Sequence, residues 1–242
     1  MFEYFDVVRS LLDEVERAEA ENMEEAATLI AEAIADGRVL HYFAAGHSHM
    51  LGEELFYRAG GLVPVNAIVE PALMVTFGAG KSSHMERLTG LARIILDDAG
   101  VGSGDVMIVA SNSGVNPVPV EMAAEAKSDG VKVIGLTSVE GSRTTPIRNS
   151  VGKRLYEIAD IVIDTHVPWG DAAIEVEGVS QKTGPVSTVI GAAILNTVVV
   201  RVIERLVERG IDPPIFMSSN VPGGLEHNEV LLKQYRSKIK SF

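Results

Sequence analysis

Two short segments combine the residue types that can hold an anion without a fixed cation. Ala45-Gly46-His47-Ser48 and Ser111-Asn112-Ser113-Gly114 each follow an apolar run and lead into a stretch with helical periodicity. Glycine lets the main chain approach a ligand closely. Amides at a helix start and serine hydroxyls donate to phosphate oxygens, so no lysine is required. Gly46, His47, Ser48, Ser111, Asn112 and Ser113 are therefore candidate binding residues. Either loop alone is equally well explained as a turn and helix cap; two such loops in one sheet favour an anion site. The P-loop pattern and the three-glycine dinucleotide fingerprint are both missing, which disfavours ATP and NAD.

The elements that must position these loops follow from periodicity. Residues 2 to 35 place Phe5, Val8, Leu11, Leu12, Val15, Ala26, Ile30 and Ile34 on one face, as an amphipathic helix or helical pair. Short apolar strands are expected at 38–43, 62–69, 105–110, 131–136 and 161–164. Helices are expected at 51–60, 84–97, after Pro117 to about Asp129, and from 186 to about Arg209. Residues 138–157 read as polar and irregular, and 169–184 as a loop. Strands that are continuous apolar runs and alternate with helices imply a parallel sheet covered on both faces. The reading is an α/β, doubly wound sheet of five parallel strands: a helical extension over 1–36, the main domain over 37–211, and a tail with its own helix over 212–242. In such sheets the ligand lies beyond the carboxyl ends of the strands, where both serine loops fall.

Composition narrows the partners. The 242 residues are 46% hydrophobic and carry a formal charge of −12, which suits a large core and excludes a phosphate-backbone binder of nucleic acid. The one dense basic cluster, Arg236, Lys238 and Lys240, reads as a charged face of the C-terminal helix. Without cysteine there are no disulfides, thiolate nucleophiles or thiolate zinc sites. The acidic start, Met1 to Asn22, lacks the pattern of a signal peptide. The run Val186 to Val200 falls short of the roughly 20 apolar residues of a membrane span. A cytoplasmic protein without membrane contact is expected.

The segment Asp105 to Gly114, with Val120 to Ser138 behind it, resembles the core of the sugar isomerase (SIS) domain. Val39 to Gly60, with Ala-Gly-His-Ser and Glu53-Glu54, is similar to that family's first ligand loop, although Ala44 stands where many members have a second glycine. Thr183-Gly184 ahead of the long helix is similar to the end of the domain in N-acetylmuramic acid 6-phosphate etherases. The resemblance covers roughly residues 35 to 210. It implies a flavodoxin-like fold, oligomerisation, and a phosphorylated sugar held by Ser48, Ser111, Ser113, Asn112 and Asn116. The apolar stripe of residues 2–35 also points to self-association, as a homodimer or homotetramer.

Isomerisation of a sugar, or cleavage at C3, needs a base beside the carbonyl, and ring opening needs an acid. The resemblance implies Glu54 or Glu86 as the base, Glu86 standing where the etherases carry their proton-transfer glutamate. His84 and His227 are the candidate acids, His227 completing its own site or a neighbour's. Asp164 and His166 end the fifth strand at the ligand edge; with Trp169 and Asp171 they can shape the pocket, although a plain loop is the favoured reading, and His41 reads as structural. Some phosphoheptose isomerases of the family hold zinc through His, Glu and Gln. Here Glu54 and Arg58 occupy the helix positions, and Gln181 has no histidine eight residues on, so neither metal nor cofactor is expected. The alternative to an enzyme is a sugar-phosphate sensor acting through a protein partner.

Overall fold

A computed structural model describes residues 2–242. The N-terminal periodicity forms one continuous helix, α1 (Glu3–Ala35), followed by β1 (Leu40–Ala44). A 3₁₀ turn over Gly46–His49 runs into the short α2 (Met50–Leu55), and β2 (Val65–Ile68) follows. Next come α3 (Ala79–Met85), α4 (Leu91–Asp98), β3 (Val106–Ala110), α5 (Pro117–Ser128), β4 (Lys132–Thr137), α6 (Val139–Thr144) and β5 (Ile161–Asp164). A two-stranded ribbon, β6 (Ala172–Ile174) and β7 (Thr183–Pro185), precedes the long α7 (Ser187–Glu208) and the tail helix α8 (Gly224–Tyr235).

The five long strands are parallel, in the order β2-β1-β3-β4-β5. Alternate residues divide between two faces, as a strand's period of two requires. Leu40, Tyr42, Ala44, Val106, Ile108 and Ala110 face α1, α2 and α7. Phe43, Met107, Val109 and Val133 face α4 and α5. The expected doubly wound sheet is therefore present. From Val8 onward the apolar stripe of α1 is covered inside the chain by α7 and β5, so α1 is part of the main core, while Phe2 and Phe5 at its start stay exposed.

Several boundaries differ from the sequence reading for identifiable reasons. The strand expected at 62–69 is shorter, because Leu62 bridges to Ile215 and Val63 donates its N–H to Pro214 O. The tail has taken the backbone groups that the sheet would have used. The helix expected over 84–97 is two helices broken between Glu86 and Gly90. Segments read as irregular contain α6 and the β6–β7 ribbon. The basic cluster lies beyond α8 and is not a helix face. Lys238 Nζ donates to Gly37 O and Lys240 Nζ to the Asp98 carboxylate, strapping the tail across the amino ends of the strands.

One polar cluster is buried at that amino end. His41 Nε2 donates to Asp105 at 3.1 Å while its Nδ1 accepts from Asn66 Nδ2 at 3.1 Å. Asp105 also accepts the N–H groups of Val39 and Gly102. Burial opposes ionisation of this carboxyl, but the hydrogen bonds from His41 and the two amides outweigh it and hold the group below the usual range. A depressed folded-state value contributes stability that is full above the unfolded value near 4 and is lost as pH falls through the folded one. Asp105→Ala, which strands three donors, should cost about 3 kcal/mol at neutral pH and flatten the loss of stability below about pH 4. Urea denaturation at pH 7 and pH 3.5 checks this; parallel losses in variant and parent would contradict it.

Candidate functional site

The strand order reverses at β1, and the loops after β1 and β3 leave the sheet side by side because Ala44 is registered against Ala110. This is the switch point at which open α/β sheets bind ligands. A cavity of about 460 Å³ lies there, and Ser48, Glu86, Ser111, Asn112, Ser113 and Asn116 line it.

Each wall has a local cause. Gly46 adopts φ +62, a left-handed value open to glycine, and turns the chain from β1 into the 3₁₀ segment that presents Ser48. Tyr42 fixes that segment from below by donating its hydroxyl to Ser48 O at 2.8 Å. Burial pushes the Tyr42 phenol well up, which keeps it a donor. In the second loop Ser111 Oγ accepts the N–H of Gly114 at 3.1 Å. Gly114 has φ +59, and a Cβ there would meet Thr137 Oγ1 at 2.9 Å and Ser142 Oγ at 3.1 Å. Loop shape and glycine are thus coupled.

Asn116 decides between a plain helix cap and a site residue. It occupies the N-cap of α5 without capping it; its Nδ2 donates instead to Glu86 Oε1 at 3.0 Å. The backbone adds a second tie, Val118 N–H to Glu86 O at 3.1 Å. The oxygens Asn112 Oδ1 and Asn116 Oδ1 are buried without a protein partner. Buried acceptors of this kind can take a hydrogen bond from water or from a ligand hydroxyl.

The remaining candidates lie elsewhere. Glu54 is on the outer side of α2, paired with Arg58 at 2.9 Å and accepting from Asn196 Nδ2 at 3.0 Å. His84 is exposed and directs Nδ1 to Gly80 O within α3. His227 bonds to Ile215 O beside the tail, and His47 points to solvent. Within one chain none of these four lines the cavity. Residues that do line it, and that the sequence reading passed over, are Ser138, Thr144, Thr145 and Arg148, after β4. Their signal was present as a third hydroxyl-bearing segment following an apolar run, Thr137-Ser138. A larger recess of about 650 Å³ lies under the tail, but two of its cations, Lys238 and Lys240, are consumed by Gly37 O and Asp98.

Among the described residues no group of three or more metal-ligating side chains is assembled. No helix there is long and apolar enough to cross a membrane.

Residues 3–138 match the family model described as the SIS domain. The chain belongs to the SIS-domain family. A UPF0309 protein of Halalkalibacterium halodurans is 43% identical over 236 residues, spanning 98% of this chain and 94% of that protein. One from Geobacillus kaustophilus is 44% identical over 237 residues, with 98% and 94% covered. Among solved structures, a phosphoheptose isomerase from Francisella tularensis has a TM-score of 0.54 at 15% identity, covering 84% of this chain and 95% of its own. The phosphoheptose isomerase of Neisseria gonorrhoeae gives 0.55 at 15% identity, covering 84% and 96%. At that identity the likeness establishes the shared SIS fold.

If the serine loops hold an anion, inorganic phosphate should shift the amide resonances of Ser48 and Ser111 to Gly114. Ser111→Ala combined with Ser113→Ala should weaken that binding at least about tenfold, each lost hydroxyl to a charged group being worth roughly 1.5 kcal/mol or more. An NMR titration reads both effects, and shifts confined to the tail recess would place the anion elsewhere.

Proposed function

We propose that this SIS-domain protein binds a phosphorylated sugar in the switch-point cavity and moves a proton beside its carbonyl with Glu86. The observation that carries this reading is the Asn116–Glu86 bond. A carboxylate is held at the wall of a hydroxyl-lined cavity by a side chain that gives up helix capping to hold it. Among the described residues Glu86 is the one carboxylate lining the cavity, which supports Glu86 over Glu54 as the base.

The serine loops fix the phosphate, which orients the carbonyl end of the sugar toward Glu86. The carboxylate takes the proton on the carbon next to the carbonyl; the electron pair of that C–H bond becomes the C=C bond and the carbonyl π pair moves onto the carbonyl oxygen, giving an enediolate. Delivery of the proton to the former carbonyl carbon, with the hydroxyl proton passing from the second oxygen to the first, completes an aldose–ketose isomerisation. Elimination of a substituent at the next carbon would instead complete a lyase reaction. That phosphoheptose isomerases share the fold agrees with the first course.

One observation favours a binding-only role. Among the described residues no histidine or lysine lines the cavity, so ring opening has no second proton carrier there within one chain. Incubation in D₂O with aldose, ketose, amino-sugar and N-acetyl sugar phosphates separates the two. Proton NMR should show loss of the C1 or C2 proton on one substrate. Glu86→Gln should slow that exchange by about 10²–10⁴-fold while sparing affinity. Binding without exchange on any member would establish the sensor reading.

A further inference from the structure

The chain has a single tryptophan, Trp169, a residue 71% exposed at the lip of the cavity. An indole at a cavity lip offers a broad apolar face that a ligand with an apolar face of its own can cover. The ring is also oriented: Trp169 Nε1 donates to Thr145 Oγ1 at 3.3 Å.

The loop that carries Trp169 is fastened at both ends. Upstream, the buried Glu19 of α1 accepts the Asp164 N–H at 3.1 Å and His166 Nε2 at 2.9 Å. The Asp164 carboxylate accepts the N–H groups of His166 and Val139. Ser138 Oγ donates to Val167 O at 2.7 Å. Downstream, the Asp171 carboxylate accepts from the amides of Val186 and Ser187 and from Ser187 Oγ, anchoring the loop to the start of α7. His166 and Asp171 sit at φ +52 and +68, in the left-handed region that residues with a Cβ avoid. Histidine and aspartate are among the side-chain-bearing residues that enter this region most readily, and the contacts above hold both turns, so the backbone on either side of the tryptophan is fixed.

We propose that Trp169 is the stacking platform for the sugar ring and that the ligand is first held as a closed ring. The proposal rests on the phosphosugar reading of the same cavity. A pyranose offers a C–H face to an indole and keeps its hydroxyls at the ring edge. There Thr144, Thr145 and the Arg148 guanidinium share the lip. An open-chain sugar alcohol phosphate presents the same phosphate without that face. Trp169 thus selects cyclic sugars, while the serine loops select the phosphate.

The lone indole is its own reporter. Glucose, glucosamine and N-acetylglucosamine 6-phosphates and sorbitol 6-phosphate would be titrated into the whole protein by calorimetry and by tryptophan emission. A cyclic ligand should change emission along the calorimetric isotherm, and sorbitol 6-phosphate should bind about tenfold more weakly. Trp169→Ala should weaken the cyclic ligand about tenfold and leave sorbitol 6-phosphate unchanged, and Trp169→Phe should recover most of the loss. Heat of binding without a change in emission, or Trp169→Ala binding as tightly as the parent, overturns the platform and leaves the phosphosugar reading standing. Absence of heat with every sugar phosphate overturns both.

Discussion

The pairing of β1 with β3 sets where everything else at the site can be. Leu40 to Ala44 lie in register against Val106 to Ala110, and both strands are buried over their full length. A strand covered on both faces has no exit for polar groups along its sides, so polar residues collect at its ends. At the amino ends they form the closed His41–Asp105–Asn66 cluster, in which the donors and acceptors meet one another. At the carboxyl ends they stay open, as serines and asparagines around a cavity. At one end of the strands the polar side chains satisfy one another, and at the other they line a cavity.

The open edge is held in shape by residues that forgo ordinary duties. Asn116 leaves α5 uncapped to hold Glu86, and His166 and Asp171 accept left-handed backbone. Each departure costs of order 1 kcal/mol or more. The compensation is distributed through α1, α7 and the sheet, whose apolar faces close over one another. The scaffold can carry such costs because the core is large and continuous.

What could be read in the sequence follows the range of the interactions. The five strands, their parallel arrangement and the two serine loops were legible because each is a local pattern: an apolar run, then glycine and hydroxyls. Glu86 and Asn116 were both legible through family resemblance, Asn116 as a phosphate contact, and only the fold shows that the two bond each other. Glu54, His84 and His227 have the right chemistry, but Glu54 faces Arg58 and Asn196, His84 turns to Gly80 O, and His227 lies on the tail helix beside Ile215, placements that residue type alone does not encode. The stripe of α1 reads as unpartnered until α7 appears opposite it. Thr145 and Arg148 were missed because they follow α6, a helix too short for its period to show.

The cover that α7 gives to α1 also orders events in time. Arg205 of α7 reaches Glu24 of α1 across 181 residues, and Tyr4 bonds to Pro185 O across the same separation. At ribosomal rates of roughly 5–20 residues per second, α1 emerges about ten to forty seconds before its partner helix. During that interval Ile30, Ile34 and their neighbours have no permanent cover. The many glutamates of α1 would then serve the nascent chain, repelling other copies until synthesis delivers the helix that closes the core.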